Sequence, residues 1–412
     1  MKVIISTGQG RLHLIDSAQA LLKSGAKCSV ITGWVPVNTP KWIVVICGKI
    51  LGRGENLYAS MMKRCPDGVP FDLIKSCSMS EFIHQALYLL AGKRLLSQDR
   101  AVVLGWKLYG FASKSYICDA DVFHVRSGAG HGGAIALAKK KGMKVVVDHS
   151  IAHPAEVFRQ LTKVTTSDRI GIQPARPFWK MVLKDCADAD VIVVNSHYVK
   201  KSFVDEGWNE SCIRVIPLGI REDFIALKDN YSSDGPFRLL FTGYFGIRKG
   251  AHLLVEMSRQ LEKKGFKFIL DIVGNIEDKD KLPEWFLTSK NIFFHGHVLQ
   301  DDLKQFLKIS DAYIFPTYAE GAAQSVKEAM AAGLPVITTL NSGAPIHHSV
   351  NGWIVPVHDV TAMMNAVIAI SHDETLRHDM GVAATKTIQA EHTWPFYANT
   401  LNGLYSELGD EC

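Results

Sequence analysis

Short β-branched runs alternate with helical patterns along this chain, pause once, and then start again. KVIIS at 2–6 leads through a Gly-containing turn into a helical pattern over about 12–24, and CSVIT follows at 28–32. VFHV at 122–125, KVVVD at 144–148 and VIVVN at 191–195 continue the series. Runs without polar alternation belong to strands buried on both faces, so each unit is a parallel sheet covered by crossover helices. From Pro217 the chain turns polar and turn-rich, PLGIREDF and then NYSSDGP. The segment 219–236 is therefore expected to be a linker. The alternation restarts with FRLLF at 237–241 and a helix from about 250, then FILDIV at 268–273 and NIFFH at 291–295. AYIFP at 312–316, a helix over 325–332, PVITT at 335–339 and WIVP at 353–356 complete it. At 412 residues the chain exceeds one ordinary domain. The spacing predicts two Rossmann-like α/β units, 1–218 and 237–393, facing across a cleft at the carboxyl ends of their strands. The segment 394–412, which begins WPFY, reads as a closing amphipathic helix.

The residues richest in chemistry lie between the strand at 312–316 and the next one. Glu320 falls in the loop at the strand's carboxyl end, and Glu328 about one turn into the following helix, on the face toward that loop. Gly321 and Ala322 are small enough for backbone N–H groups to approach a ligand. Together with Ala323, Gln324 and Ser325 they form a helix start suited to phosphate. Two carboxylates repel phosphate, so Glu320 and Glu328 are better employed on neutral hydroxyls. On spacing alone, a capping Glu320 and a solvated Glu328 is the competing reading.

This run resembles the E-x7-E signature of family GT4, the retaining glycosyltransferases of the GT-B fold, and the resemblance covers the chain nearly end to end. A second match is TGYFGIRKG at 242–250, similar to the family's G-R-L-x-x-x-K-G around Gly243. Lys249 and Gly250 agree with it. Tyr244 stands where the family has Arg, and Arg248 is the candidate replacement cation. The first loop, with Gly8 and Gly10, resembles the family's Gly-rich loop beside the phosphates. Asp148-His149-Ser150 resembles the strand end whose His faces the donor sugar; a merely hydrogen-bonded strand-end His149 is the alternative. Arg126 and His131, in RSGAGHGG, are expected on the acceptor side, although these glycines can also serve a tight turn. Softer matches place Asn275 below the nucleotide and His297 near its base.

The resemblance implies transfer of a hexose-type sugar from a nucleoside-diphosphate sugar to an acceptor hydroxyl with retained anomeric configuration. On that expectation Arg248 and Lys249 stabilise the leaving diphosphate, Glu320 holds the sugar, Glu328 the ribose, and His149 positions the sugar from the front unit. No cofactor and no metal are expected. Asp119-Ala-Asp121 and Asp188-Ala-Asp190 match the metal-binding D-x-D pattern, but both directly precede β-branched strands and read as structural. Two other classes stay open: a nucleotide-sugar epimerase of the same fold, and a non-catalytic nucleotide-sugar-binding subunit.

Charge refines the choice of partner. Residues 1–220 hold 29 Lys and Arg against 17 Asp and Glu, a net of +12, while residues 221–412 hold 17 against 24, a net of −7. The basic half suits an anionic membrane surface or a saccharide or lipid-linked acceptor. Lys139-Lys140-Lys141 reads as a solvated helix end, so no nucleic-acid partner is expected. Residues 42–64 mix apolar and basic side chains and suit either an interfacial helix or one packed on the sheet. The eight Cys show no C-x-x-C pair and read as reduced thiols. The opening MKVIISTGQG lacks a signal peptide's apolar core. A cytoplasmic protein, peripheral to the membrane at most, is the expectation.

Overall fold

The computed structural model describes residues 1–9, 13–35, 42, 68–233 and 235–410. The expectations placed on Gly10 and on nearly all of 42–64 fall outside these residues.

Seven strands form the first sheet: β1 (Lys2–Ser6), β2 (Lys27–Thr32), β3 (Ile74–Ser76), β4 (Val122–Arg126), β5 (Lys144–His149), β6 (Val191–Val194) and β7 (Ile213–Val215). Their order is β3-β2-β1-β4-β5-β6-β7 and every pairing is parallel. The helices on this unit are α1 (Leu14–Lys23), α2 (Ser78–Gly92), α3 (Gln98–Ser113), α4 (Ala134–Lys140), α5 (Pro154–Leu161), α6 (Pro177–Ala187) and α7 (His197–Val204). The second sheet contains β8 (Phe237–Thr242), β9 (Phe268–Val273), β10 (Ile292–Gly296), β11 (Ala312–Phe315), β12 (Val336–Thr338) and β13 (Trp353–Ile354). Its order is β10-β9-β8-β11-β12-β13, again parallel throughout. Around it lie α8 (Ala251–Lys263), α9 (Glu284–Thr288), α10 (Gln300–Ile309), α11 (Gln324–Ala332), α12 (Val360–His372) and α13 (Glu374–Glu391). The last described helix is α14 (Trp394–Asp410).

The β-branched runs lie where two-sided burial requires them. All four residues of β6 are buried, as are all four of β11. The edge strands β3 and β7 escape a reading by pattern because each is three residues long with a central cation, Lys75 or Arg214. The D-x-D pairs fasten strand starts: Asp121 Oδ2 accepts from the Lys2 amide at 2.6 Å, and Asp190 Oδ2 from the Val145 amide at 2.7 Å.

The strand order of each sheet reverses once, between β1 and β4 in the first and between β8 and β11 in the second. At such switch points the loops leave in opposite directions and open a crevice at the strand ends. The loops after β1, β4, β8 and β11 are thereby brought to the cleft. An apolar seam joins the units, because Ala152, Val157, Leu161 and Ile170 of the front unit belong to the same buried cluster as the second sheet.

The segment read as linker is largely fastened to the back unit. Phe224 is buried in its core, and the Ala226 and Lys228 amides donate to the carbonyls of Ala331 and Ala332 at 2.8 and 2.9 Å. Arg377 donates from Nε and Nη2 to the Tyr231 carbonyl at 2.9 and 2.8 Å.

Helix α14 returns to the front unit. Tyr397, Leu401, Leu404 and Leu408 pack with Val3, Ile5, Leu14 and Leu21, and the Tyr405 hydroxyl lies 2.6 Å from His124 Nδ1. Leu401 is fully buried. Leu401→Ala should therefore cost the front unit about 2–5 kcal/mol through lost contacts and a residual cavity. Urea unfolding followed by front-unit tryptophan fluorescence measures it, and an unchanged midpoint would refute the docking.

Candidate functional site

The loop after β8 carries the cations. Gly243 and Gly274 bring the first two strand-end turns together: a Cβ on Gly274 would stand 2.1 Å from the Gly243 carbonyl oxygen. Gly243 also leaves room for Lys249, whose Nζ would lie 2.6 Å from a Cβ built there. A short turn over Ile247–Lys249 precedes α8. It is joined to the loop after β11, because the Tyr318 amide and the Thr317 hydroxyl both donate to the Arg248 carbonyl, at 2.9 and 3.0 Å.

Two cations and one carboxylate meet at this junction. Arg248 Nη1 is 2.6 Å from Glu320 Oε1, and Lys249 Nζ is 4.0 Å from the same oxygen. Arg248 Nη1 also donates to the Ala319 carbonyl at 2.9 Å. The ammonium of Lys249 lies 5.0 Å from the centre of the Phe315 ring. Burial pulls Lys249 below the usual lysine range, and Glu320 opposes that pull. Arg248 also lines a cavity of about 340 Å³ with Glu277, Arg169 and Ile172. Tyr244, at the family's Arg position, is 52% exposed; Arg248 is the residue that joins Lys249 at Glu320.

Helix α11 and the loop before it are held by the front unit. The Ala152 amide donates to the Glu320 carbonyl at 3.2 Å and the Ser196 hydroxyl to the Gly321 carbonyl at 2.5 Å. A Cβ on Gly321 would fall 2.0 Å from the Ser150 carbonyl oxygen. Gly321 is thus small because two backbones meet there. The amides of Glu320 and Ala323 are committed to the carbonyls of Asn341 and Ser342, at 3.0 and 2.9 Å. The Ala323 amide at the expected helix start is thus engaged with the loop after β12. Ala322 is half-buried in the same loop.

Glu328 lies apart from this cation cluster. Its charged neighbours are Lys327, Arg221 and Asp223. With Gln324, Arg221, Asp16, Gln19 and Trp394 it lines a cavity of about 950 Å³ between α1, the 219–223 segment, α11 and α14. Burial pushes the Glu328 carboxyl up to about 7. It pulls the neighbouring Lys327 ammonium, which donates to the Leu218 carbonyl at 2.7 Å, down to about 7. Gln324 donates to the Gly219 carbonyl at 3.2 Å. Ser325 bonds the buried Tyr313 hydroxyl, which also meets Thr242 at 2.9 Å. One helix face thus contacts the interunit segment, a role the sequence did not disclose for Lys327.

From the front unit comes His149, 2% exposed, with Nδ1 2.9 Å from the Ser127 hydroxyl. Its Nε2 is buried without a hydrogen-bond partner. Burial pulls its pKa down to about 3, so the ring is neutral at physiological pH. Beside it Asp148 Oδ1 is 2.7 Å from His13 Nε2, and Oδ2 is 3.9 Å from His124 Nε2. Burial resists ionisation of Asp148, but His13, His124 and Arg126 outweigh it and hold the carboxyl below its usual range. His13 was missed in the sequence; its place just after the first Gly-rich loop was the available signal.

The other expected residues have surroundings of their own. Gly8 packs on α3: its added Cβ would fall 2.6 Å from the Trp106 ring. Asn275 is engaged through its main chain, its carbonyl accepting from the Phe245 amide at 2.8 Å. His297 is exposed, whereas His295 pairs with Asp271 at 2.7 Å. His131 Nδ1 stands 3.8 Å from Asp185 Oδ1, against α6 of the front unit. Small residues pack α3 against this loop: a Cβ on Gly132 would fall 2.3 Å from the Lys107 carbonyl oxygen, and one on Gly110 of α3 1.5 Å from the His131 carbonyl oxygen.

The sequence profile of the glycosyl transferases group 1 matches residues 224–387, and that of glycosyltransferase family 4 matches residues 93–224. The amylovoran biosynthesis glycosyltransferase AmsK of Erwinia amylovora is 27% identical over 286 residues, 66% of this chain and 66% of its own length. The capsular polysaccharide biosynthesis glycosyltransferase CapM of Staphylococcus aureus is 26% identical over 238 residues, 54% of this chain and 62% of its own. The matched stretches thus span just under two thirds of these relatives. Sucrose-phosphate synthase (tll1590) from Thermosynechococcus elongatus superposes with a TM-score of 0.69 at 18% identity, covering 100% of both chains, which shows a shared fold.

Asp185 offers a pH test of the loop that carries Arg126 and His131. Its Oδ2 accepts from the amides of Gly128 and Gly130 at 2.7 and 2.9 Å. Burial pushes its carboxyl from 3.8 up to about 7. A raised folded pKa contributes stability below the unfolded pKa and loses it as pH rises through the folded one. Asp185→Asn keeps an acceptor oxygen and cannot ionise. Between pH of about 4 and about 7, wild-type stability should fall by up to about 4 kcal/mol more than that of Asp185→Asn. Parallel urea titrations of the two proteins would contradict the assignment.

Proposed function

Because this chain belongs to the group 1 glycosyltransferases of the GT-B fold, we propose that it moves a hexose-type sugar from a nucleoside-diphosphate sugar to an acceptor hydroxyl with retention. The observation that carries this reading is the convergence of Arg248, Lys249 and Glu320 where the two strand-end loops of the back unit meet the front unit. A departing nucleoside diphosphate gathers negative charge, and paired, partly desolvated cations stabilise that charge most strongly in the transition state.

In this reading the acceptor oxygen forms its bond to the anomeric carbon as the bond to the diphosphate breaks. The acceptor proton passes to the leaving diphosphate oxygen on the same face. Glu320 holds a sugar hydroxyl while the diphosphate takes over Arg248 and Lys249. His149, neutral, is suited to hydrogen bonding with the sugar through Nε2. Glu328, with a pKa near neutrality, is assigned to the ribose from the neighbouring cavity. Gly243, Gly321, Ala322, Gln324 and Ser325 shape the donor side, and Arg126 lies toward the acceptor. No cofactor or metal is assigned.

The polysaccharide roles in the names of AmsK and CapM support assembly of a cell-surface polysaccharide or glycolipid as the setting. No helix of the described residues is long and apolar enough to cross a membrane. A cytoplasmic location, with saccharide or lipid-linked acceptors, completes the proposal.

A panel of nucleotide sugars should contain one that raises the melting temperature, since a ligand of the folded state stabilises it. With that donor, Lys249→Ala should lower kcat by about a hundredfold to a thousandfold while its thermal melt stays near wild type. Full transferase activity in the variant sinks the assignment. Conversion of the donor without acceptor would favour an epimerase.

A further inference from the structure

Helix α2 is amphipathic in the reverse sense. Its buried residues are Ser80, Glu81 and His84. Met79, Phe82, Ile83, Leu89 and Leu90 are exposed, Met79 and Leu89 to 71% and 70%. The polar face is inward for local reasons: Glu81 Oε2 accepts from the Trp34 amide at 2.6 Å, the Ser80 hydroxyl donates to the Cys77 carbonyl at 2.7 Å, and His84 packs on Gly105 of α3. Those bonds explain why polar groups are inside. They do not explain why the outside is apolar, since a solvated helix face ordinarily carries charge.

The outward positions 79, 82, 83, 86, 89, 90 and 93 fall at helical spacing on one face. Leu95, 73% exposed, extends the patch past the helix end. Cations border it there: Lys93, Arg94 and, at the start of α3, Arg100 are all exposed. An apolar helix face ending in basic side chains is the composition that partitions into the interface of a negatively charged bilayer. A soluble apolar partner would not require that border, and a second copy of the chain would bring the same cations face to face.

We propose that the outer face of α2, with Leu95 and its basic border, docks the front unit on an anionic phospholipid bilayer. Apolar side chains enter the acyl boundary while Lys93, Arg94 and Arg100 meet lipid phosphates. This surface is separate from the Glu320 cluster and from both interunit cavities, so the proposal does not depend on the transferase reading.

Vesicle flotation tests it with the full chain. The wild type should float with vesicles of mixed phosphatidylcholine and phosphatidylglycerol at low salt, not with phosphatidylcholine alone, and added salt should weaken binding. Phe82→Ser with Leu89→Ser, and separately Lys93→Glu with Arg94→Glu, should each lower the bound fraction roughly tenfold. Both pairs are exposed, so their thermal melts should match wild type. Failure of the wild type to float, or variants that float like it, would overturn the proposal. So would a wild-type dimer that the Phe82/Leu89 pair dissolves, because that assigns the face to a second copy.

Discussion

The arrangement depends on one electrostatic junction: two cations of the β8–α8 turn held against the carboxylate of Glu320. A half-buried Lys249 is costly unless an opposite charge stands near it. Glu320 supplies that charge at 4.0 Å while pairing more closely, at 2.6 Å, with Arg248. The pairing joins the loops after β8 and β11, and hence the two sides of the switch point. In the proposed reaction the diphosphate takes the place of that carboxylate on the two cations. The same charges that settle the loop are those the proposed chemistry uses.

Around that junction the backbone is exceptionally close. Gly243 meets Gly274, and Gly321 meets the Ser150 carbonyl across the units. The front unit therefore contacts the cation cluster through main chain and small hydroxyls. It places two ionisable groups of opposite character at the end of β5. Asp148 is kept charged by His13, His124 and Arg126, whereas burial keeps His149 neutral. Adjacent residues on one strand point to opposite faces and so meet different surroundings.

Much of the architecture was legible because it rests on periodicity. Buried parallel strands need uninterrupted β-branched runs, and VIVV and AYIF announce themselves. The edge strands β3 and β7 did not, because three residues around a central cation carry too little pattern. The cluster at Glu320 was legible through motif, and Arg248 through its neighbour Lys249. Roles decided by contact were hidden. Ala323 has its amide bonded to Ser342, Gly8 yields its space to Trp106, and His131 faces Asp185. None of these partners is near in sequence.

By itself the sequence determined the two α/β units and the order of their longer strands along the chain, since each follows from local pattern. Only the tertiary structure decided which charges share an environment. Glu320 and Glu328 are eight positions apart, yet one joins Arg248 and Lys249 while the other faces Arg221 and Lys327 in a separate cavity. The physical reason is that a carboxylate's behaviour depends on its distance to charge and its access to water. Both are set by residues that folding brings from elsewhere in the chain.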